Sequence, residues 1–136
     1  MNQLTIIGTI HSQLKNLEDC PRQEDEAAPG ATLVIAPEFS EGIKDIQAGD
    51  DLLLFTWLHR ADRKVIACQP RNDPHAPLTG VFSTRSPDRP NPIGIHYVKV
   101  VEIEGASIRV SNLEVLDQTP VIDIKPVWNM MTRHGQ

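Results

Sequence analysis

The residues best suited to chemistry lie in one proline-rich stretch, GVFSTRSPDRPNPIG, at positions 80–94. Its three prolines lack an amide N–H and fix φ, which excludes an ordinary helix or a central strand. Arg85 and Arg89 place two guanidiniums in this stiffened backbone. A guanidinium fork pairs with a carboxylate or phosphate, and proline lowers the entropy cost of ordering a loop. The stretch therefore predicts a preorganised loop that binds an anionic or planar ligand.

Three further segments carry polar side chains that such a ligand could use. His59-Arg60 follows an apolar run that becomes abruptly polar, and Asp117–Pro120 is a turn whose side chains can cap backbone N–H groups. Pro21–Gln23 lies in a long polar loop. With Arg85–Pro92, they could surround a ligand with an adenine ring and a charged tail. Each segment also has a plain structural interpretation, as an ordinary turn or a capping histidine. Residue types alone thus indicate a β domain with an anion or nucleotide pocket.

Other common sites are missing from the sequence. The five histidines are scattered, with no HxH, HExxH or His-plus-Cys spacing, so no metal site is predicted. The absence of GxSxG argues against a nucleophilic serine on a strand-to-helix elbow. The absence of GxGxxG and GxxxxGK excludes the Rossmann and P-loop interpretations.

The charge is unevenly distributed along the chain. Its net value of −5 argues against non-specific binding to nucleic acid. Residues 60–89 nevertheless hold six basic and three acidic side chains, a local +3, whereas the remainder holds seven basic and fifteen acidic, or −8. A basic segment of this kind can meet a phosphate backbone, although it is equally often a solvated face.

The elements that must position these residues are short apolar runs rich in β-branched side chains and separated by turn residues. This spacing predicts an all-β fold, a small antiparallel β-barrel or sandwich with long loops and at most one short helix. The helix is expected near Ser40–Ile46, with Ser40 as the N-cap. The runs are Leu4–Ile10, Ala31–Ala36, Leu52–His59, Val65–Ala67, Val81–Phe82, Ile95–Ile103, Ser107–Leu116 and Val121–Ile124.

The clearest predicted hairpin joins Ile95–Ile103 to Ser107–Leu116 through a turn at Glu104-Gly105-Ala106. In both arms the alternation of apolar residues changes phase midway. A phase change of this kind predicts a β-bulge, or a strand that exchanges one packed face for another.

Length and composition are those of a soluble globular protein. With 136 residues, 40% hydrophobic and 23% charged, the chain is predicted to form one domain spanning 1–136. Cys20 and Cys68 have no metal or CxxC spacing, so reduced thiols are expected. The opening residues lack a basic leader, and no run approaches a membrane-spanning length. We therefore expect a cytoplasmic protein with no membrane partner.

Two blocks of the sequence resemble a known family. TRSPDRPNPIG at 84–94 and LEVLDQTPVIDIKP at 113–126 are similar to the two signature blocks of the TsaA-like family of TrmO-type tRNA methyltransferases. IGTIHS at 7–12 and PRQ at 21–23 fit weaker blocks. Two long ungapped blocks in the right order make the resemblance specific, and it spans nearly the whole chain.

The resemblance implies a small antiparallel β-barrel that works as a homodimer and binds S-adenosylmethionine. It implies methyl transfer to N6 of N6-threonylcarbamoyladenosine at position 37 of tRNA, with no metal. Arg89 and Asn91 are expected on the acceptor side, and His59 is a candidate for the base that takes the N–H proton. Carried over by motif, the cofactor contacts are Arg22, Gln23, Glu24, His59, Arg60, Arg85, Ile95, Asp117, Gln118, Thr119 and Pro120.

Two alternatives stay open at this stage. One is a methyltransferase for another RNA or small-molecule acceptor, and the other is a non-catalytic S-adenosylmethionine-binding module of the same fold. Gln118 stands where the family usually has glycine, so a different turn is expected there. Glu24–Glu26 make the first loop acidic, and longer bacterial members continue into a C-terminal domain after the second block.

Overall fold

Six antiparallel strands close into a barrel in the computed structural model, which describes residues 3–13, 30–70 and 73–128. Around the ring the order is β1-β2-β7-β6-β3-β8, and β4 pairs with β5 in a separate two-stranded sheet. The predicted all-β barrel is confirmed. The strands are β1 (Gly8–His11), β2 (Ala31–Ile35), β3 (Asp51–Trp57), β4 (Ala67–Cys68), β5 (Thr79–Gly80), β6 (Ile93–Glu104), β7 (Ser107–Ser111) and β8 (Pro120–Pro126).

Short 3-10 segments occur at Pro37–Ile43 and Val81–Ser83. The first begins three residues before the predicted Ser40, because a proline at the first helical position fits the N-terminus without losing a hydrogen bond. Ser40 donates its hydroxyl back to the carbonyl of Pro37 at 2.9 Å and does not cap the helix. The strand predicted at Val81–Phe82 is wrong. None of the helices in the described residues has the length and apolar character needed to cross a membrane.

The core of the barrel follows the period of two expected for strands. In β3, Leu52 and Leu54 are buried, while Leu53 and Phe55 alternate with them on the outer surface and are only half-buried. The same alternation continues around the ring and fills the interior with aliphatic side chains. The most completely buried include Ile10, Leu33, Leu54, Val98, Val100, Ile108, Val110 and Val121.

The predicted hairpin is confirmed as β6 and β7, which pair up to Glu104 and Ser107 across a turn at Gly105. The register shifts between Val100 and Glu102, which is the bulge expected from the first arm. The second arm changes phase for another reason. Strand β7 ends at Ser111, and Asn112 then adopts φ 59°, which turns the chain out of the sheet.

The ring order brings particular chain ends together at one end of the barrel, which we call the upper end. Strands β1, β3 and β7 finish there, and β2, β6 and β8 begin there. The register shows this directly, because His11 pairs with Thr32 and Thr56 pairs with both Gly94 and Val121. Every loop that follows β1 or β3, or precedes β6 or β8, therefore opens at the upper end.

The outer surface of β3 and β6 is apolar. Three cross-strand pairs face outward here, and all six side chains are hydrophobic: Leu53 with Tyr97, Phe55 with Ile95, and Trp57 with Ile93. Tyr97 is 53% exposed and Ile93 is 43% exposed. We call these six residues the apolar outer face. A continuous apolar surface of this kind is typical of a contact surface.

Candidate functional site

The sequence-predicted site segments that the structure describes meet at the upper end of the barrel. His59-Arg60 follows β3, the Arg85–Asn91 loop precedes β6, and Asp117–Pro120 leads into β8. In the ring β6, β3, β8 and β1 are consecutive neighbours, so these segments are adjacent around the rim. The predicted contacts Arg22, Gln23 and Glu24 lie outside the described residues.

Arg89 organises the proline-rich loop from within. Its Nη1 donates to the carbonyl oxygens of Thr84 at 3.1 Å and Ser86 at 2.9 Å, and its Nη2 donates to that of Val81 at 2.6 Å. Two of these carbonyls belong to the residues directly before and after Arg85. The half-buried guanidinium thus fixes the backbone on both sides of Arg85 through charge-assisted hydrogen bonds. The acceptor contact predicted for Arg89 stays a prediction, and the geometry adds a positioning role.

Arg85 has the opposite character. It is exposed, and its guanidinium has no hydrogen-bond or ion-pair partner among the described residues. An uncommitted guanidinium on a fixed backbone is suited to a carboxylate or phosphate that comes from outside the chain. Five donors in a fixed fork are available to such a group.

The turn after β3 is attached to the proline-rich loop by several hydrogen bonds. Arg63 Nε donates to the carbonyl of Pro90 at 2.8 Å, and its Nη2 donates to Asn91 Oδ1 at 3.3 Å. The same guanidinium lies 5.0 Å from the ring centre of Trp57, in cation–π geometry. Asp88 accepts the backbone N–H of Asp62 at 2.8 Å. His59 and Arg60 are therefore exposed on a turn whose position relative to Arg85 is fixed.

Sequence reasoning missed Arg63, and it assigned Asn91 to the acceptor. The amide oxygen of Asn91 is already used by Arg63. An arginine next to an aspartate in a charged turn carries no signal for this role, because its partners lie 27 and 28 residues further along the chain. The acceptor contact of Asn91 stays a prediction.

The Asp117–Pro120 turn is bonded to the end of β1. Asp117 Oδ1 accepts the backbone N–H of Ser12 at 2.9 Å, and the N–H of Gln118 donates to the carbonyl of Ile10 at 2.6 Å. Thr119 is buried and donates its hydroxyl to the carbonyl of Leu116 at 2.7 Å. The DQTP segment is thus a rigid junction between β1 and β8 rather than a free loop.

Gln118 has a backbone conformation that glycine favours. Its φ is 72°, in the left-handed region that glycine favours. The turn is therefore of a kind that the family's usual glycine would adopt without strain, and the expected difference in the turn stays a prediction. Its side-chain Nε2 lies 3.2 Å from His11 Nδ1 and 3.3 Å from Asp117 Oδ2. These contacts partly offset the strain of a non-glycine residue at this φ.

Substitutions at Gln118 test this strain. We expect Gln118→Gly to keep the free energy of unfolding or raise it by up to about 1 kcal/mol, because glycine removes the left-handed penalty but loses the two side-chain contacts. Gln118→Val should lower it by about 1–2 kcal/mol, because a β-branched residue is a genuine outlier at this φ. Urea unfolding followed by circular dichroism measures both, with Gln118→Asn as the control that tolerates the conformation. If the valine and glycine variants unfold at the same urea concentration, Gln118 is not in a strained left-handed conformation.

A buried polar pair lies beneath the upper end. Thr56 Oγ1 and His96 Nε2 form a hydrogen bond of 2.9 Å, and both residues are buried. Gly94 approaches them closely, because a Cβ there would lie 2.5 Å from the Thr56 oxygen and 2.7 Å from the His96 nitrogen. The glycine therefore lets the start of β6 close against β3. Only the register of these strands reveals the pair, because Thr56 and His96 are 40 residues apart in the chain.

Two cavities lie at opposite ends of the barrel. The one at the upper end is open, has a volume of about 370 Å³ and is lined by Ser12, Thr32, Arg109 and Asp117 among others. It includes Gln13 and Gly30, the residues on either side of segment 14–29. Of the predicted cofactor contacts that the structure describes, Asp117 lines this cavity, whereas His59, Arg60 and Arg85 do not.

The cavity at the lower end has a volume of about 560 Å³ and contains none of the predicted contacts. Its walls are mostly aliphatic, and aspartates lie on its rim. One of them, Asp51, accepts a hydrogen bond of 2.9 Å from Lys99, and this bond lowers the pKa of the Asp51 carboxyl. The greater volume does not make this cavity the better candidate, since the polar segments converge at the other end. Among residues 3–13, 30–70 and 73–128, no group of His, Cys, Asp or Glu is arranged to hold a metal ion.

Comparison with known proteins identifies the family. The sequence profile of the tRNA-methyltransferase O N-terminal domain matches residues 9–132. The chain belongs to this family. The resemblance carried by the two sequence blocks is confirmed, and both blocks contribute to the upper end of the barrel.

Relatives and solved structures agree with this family assignment. A probable S-adenosyl-L-methionine-binding protein of Pyrococcus abyssi is 44% identical over 121 residues, which is 88% of this chain and 65% of that protein. One of Archaeoglobus fulgidus is 42% identical over 124 residues, or 91% of this chain and 33% of that protein. The crystal structure of TrmO from Pseudomonas aeruginosa superposes with a TM-score of 0.72 at 30% identity, covering 94% of this chain and 56% of the other. The chain thus spans between a third and two thirds of the length of these proteins.

Proposed function

We propose that this chain is an S-adenosylmethionine-dependent methyltransferase that acts on tRNA, with N6 of N6-threonylcarbamoyladenosine at position 37 as the acceptor. The observation that carries the proposal is the convergence of the proline-rich loop, the turn after β3 and the DQTP turn at one end of the barrel. The family assignment and relatives named for S-adenosylmethionine binding support it. We also propose that residues 1–136 form one domain. Because the proposed substrate is tRNA, we propose that the protein is cytoplasmic.

The residues at the upper end fit this cofactor. Arg85 offers an exposed, uncommitted guanidinium to the methionine carboxylate. Ile95 lies on the outer surface of β6 opposite Phe55, where the two provide an apolar contact for the adenine ring. Asp117 supplies carboxylate oxygens on a rigid turn, and Thr119 and Pro120 hold that turn in place. Arg22, Gln23, Glu24, His59, Arg60 and Gln118 complete the proposed contacts.

The chain's contribution to catalysis is positional. When bound, S-adenosylmethionine supplies a methyl group on a sulfonium, which needs no protein nucleophile. The fixed backbone around Arg85 would hold a bound ligand in one orientation, which lowers the entropy cost of aligning it with the acceptor. The ureido N–H of the acceptor loses its proton as nitrogen gains the methyl group, so a base must be within hydrogen-bond reach. His59, exposed on the turn after β3, remains the candidate for this base.

A homodimer is part of the proposal. The apolar outer face of β3 and β6 leaves Tyr97 and Ile93 about half exposed, and a second copy would cover it. Ile95 belongs to this face as well as to the proposed cofactor contacts, so dimerisation would enclose the ligand beside it. Burial of the ligand strengthens its electrostatic contacts by lowering the local dielectric constant.

Methyl transfer to defined tRNA pools tests the proposal. The 136-residue chain is incubated with methyl-labelled S-adenosylmethionine and total tRNA from a strain that lacks this gene, followed by nucleoside analysis. We expect label only in the threonylcarbamoyl nucleoside, and none with tRNA from cells that cannot make that modification. Isothermal titration calorimetry of the cofactor alone provides the independent control for binding.

Two rival functions give different results in these assays. A methyltransferase for another acceptor would label both tRNA pools equally, at background level. It would transfer the methyl group to another RNA or to a small molecule. Cofactor binding without transfer to any pool identifies a non-catalytic binding module, which the names of the relatives also allow. No calorimetric heat from a folded chain overturns the proposal altogether.

A further inference from the structure

Phe82 is the most exposed large hydrophobic residue among those described, with 84% of its surface accessible. It lies in the 3-10 segment Val81–Ser83, directly before the loop that carries Arg85. A phenylalanine exposed to this degree contributes little to the core, so its position needs another explanation.

The backbone that carries this ring is rigid. Val81, the residue before it, is buried, and its N–H donates to the carbonyl of Ile66 at 3.0 Å. The carbonyl of Val81 accepts three hydrogen bonds, from Arg89 Nη2 at 2.6 Å and from the N–H and hydroxyl of Thr84 at 3.0 Å each. Phe82 therefore presents a flat apolar ring on a fixed base, which lowers the entropy cost of stacking on a ligand.

The sequence segment that contains the ring is cationic. Phe82 lies within segment 60–89, whose local charge is +3 on a chain of net −5. Arg60, Lys64 and Arg85 in this segment are all exposed. An exposed aromatic ring beside exposed cations is the combination that binds unpaired nucleic acid, with the ring on a base and the cations on phosphates. An apolar partner protein would leave these cations without counter-charges, so the charge favours RNA.

We propose that Phe82 stacks on an unpaired base of the RNA substrate, next to the site of methyl transfer. This inference rests on the proposed function and adds a residue that neither the family blocks nor the cofactor contacts assign. It also gives a role to Lys64, an exposed cation of segment 60–89 that is not among the proposed cofactor contacts, as a contact for the phosphates of the same RNA loop.

Binding of a fluorescent anticodon stem–loop RNA, measured by anisotropy, tests the inference. Phe82→Ala should weaken RNA binding about 5- to 150-fold, the range for loss of one base–aromatic stack. Phe82→Trp should bind as tightly as the wild type, whereas Phe82→Leu, which keeps apolar bulk without a π face, should resemble alanine. Leu78→Ala is the matched control. Leu78 lies directly before β5 and is 72% exposed, and its replacement should not change RNA binding.

Two measurements separate the possible failures. Calorimetry with S-adenosylmethionine should give the same dissociation constant for every Phe82 variant, and sedimentation should give the same molecular mass. If Phe82→Ala binds the stem–loop like the wild type while the wild type methylates tRNA, the stacking inference fails and the proposed function stands. If Phe82→Ala and Phe82→Leu lower the sedimenting mass, the ring belongs to a self-contact and the inference is overturned. If the wild type binds the cofactor but neither binds nor methylates RNA, both proposals fail.

Discussion

Arg85→Ala should raise the dissociation constant for S-adenosylmethionine about 10- to 150-fold and leave the free energy of unfolding unchanged. The expected factor follows from the loss of charge-assisted hydrogen bonds to one carboxylate, at about 1.5–3 kcal/mol. Stability should not change, because the guanidinium is exposed and has no partner among the described residues. Isothermal titration calorimetry and urea unfolding on the same preparations measure the two quantities.

Two control variants sharpen this expectation. Arg85→Lys keeps the charge but loses the bidentate fork, so its dissociation constant should lie between those of the wild type and alanine. Lys125→Ala removes an exposed cation of β8 that is remote from the upper end, and it should not change cofactor binding. If Arg85→Ala and Lys125→Ala bind equally well, Arg85 is not a cofactor contact.

Arg89→Met should lower the free energy of unfolding by about 2–3 kcal/mol and weaken cofactor binding at the same time. Methionine fills a similar volume but donates no hydrogen bond, so the carbonyls of Thr84 and Ser86 lose their charged donor. The carbonyl of Val81 keeps its bonds from Thr84, which limits the loss. The backbone around Arg85 then becomes more mobile. Cofactor binding is weakened, because it must also order this backbone at a cost in entropy. Urea unfolding, amide hydrogen exchange of residues 84–88 and calorimetry with the cofactor measure these effects.

The comparison between the two arginines distinguishes positioning from contact. Arg85→Ala should weaken cofactor binding without changing the free energy of unfolding. Arg89→Met should weaken cofactor binding and also lower the free energy of unfolding. In Arg89→Lys, the single ammonium group can bond to only some of the three carbonyl oxygens. This variant should therefore be more stable than Arg89→Met but less stable than the wild type. If Arg89→Met unfolds like the wild type but no longer methylates tRNA, Arg89 contacts the acceptor, as predicted from the sequence, and does not act through the loop.

Some features could be predicted from the sequence because they depend on neighbouring residues. The proline-rich loop follows from the missing amide hydrogens and fixed φ of proline, and the β6–β7 hairpin follows from a Gly105 turn between alternating runs. The errors also have local causes. At Val81–Ser83 the hydroxyl and N–H of Thr84 bond to the carbonyl of Val81, and this competing pattern gives a 3-10 turn where a short apolar run predicted a strand.

The sequence by itself determined the family, the all-β class and the segments that form the candidate site, because motif spacing and alternation are local properties. Only the tertiary structure decided that these segments meet at one end of the barrel, since the pairings of β1 with β8 and of β3 with β6 join residues far apart in the chain. The tertiary structure also gave the two arginines of the proline-rich loop different surroundings. Local composition makes Arg85 and Arg89 equivalent, but the folded loop surrounds one with carbonyl oxygens and leaves the other facing solvent.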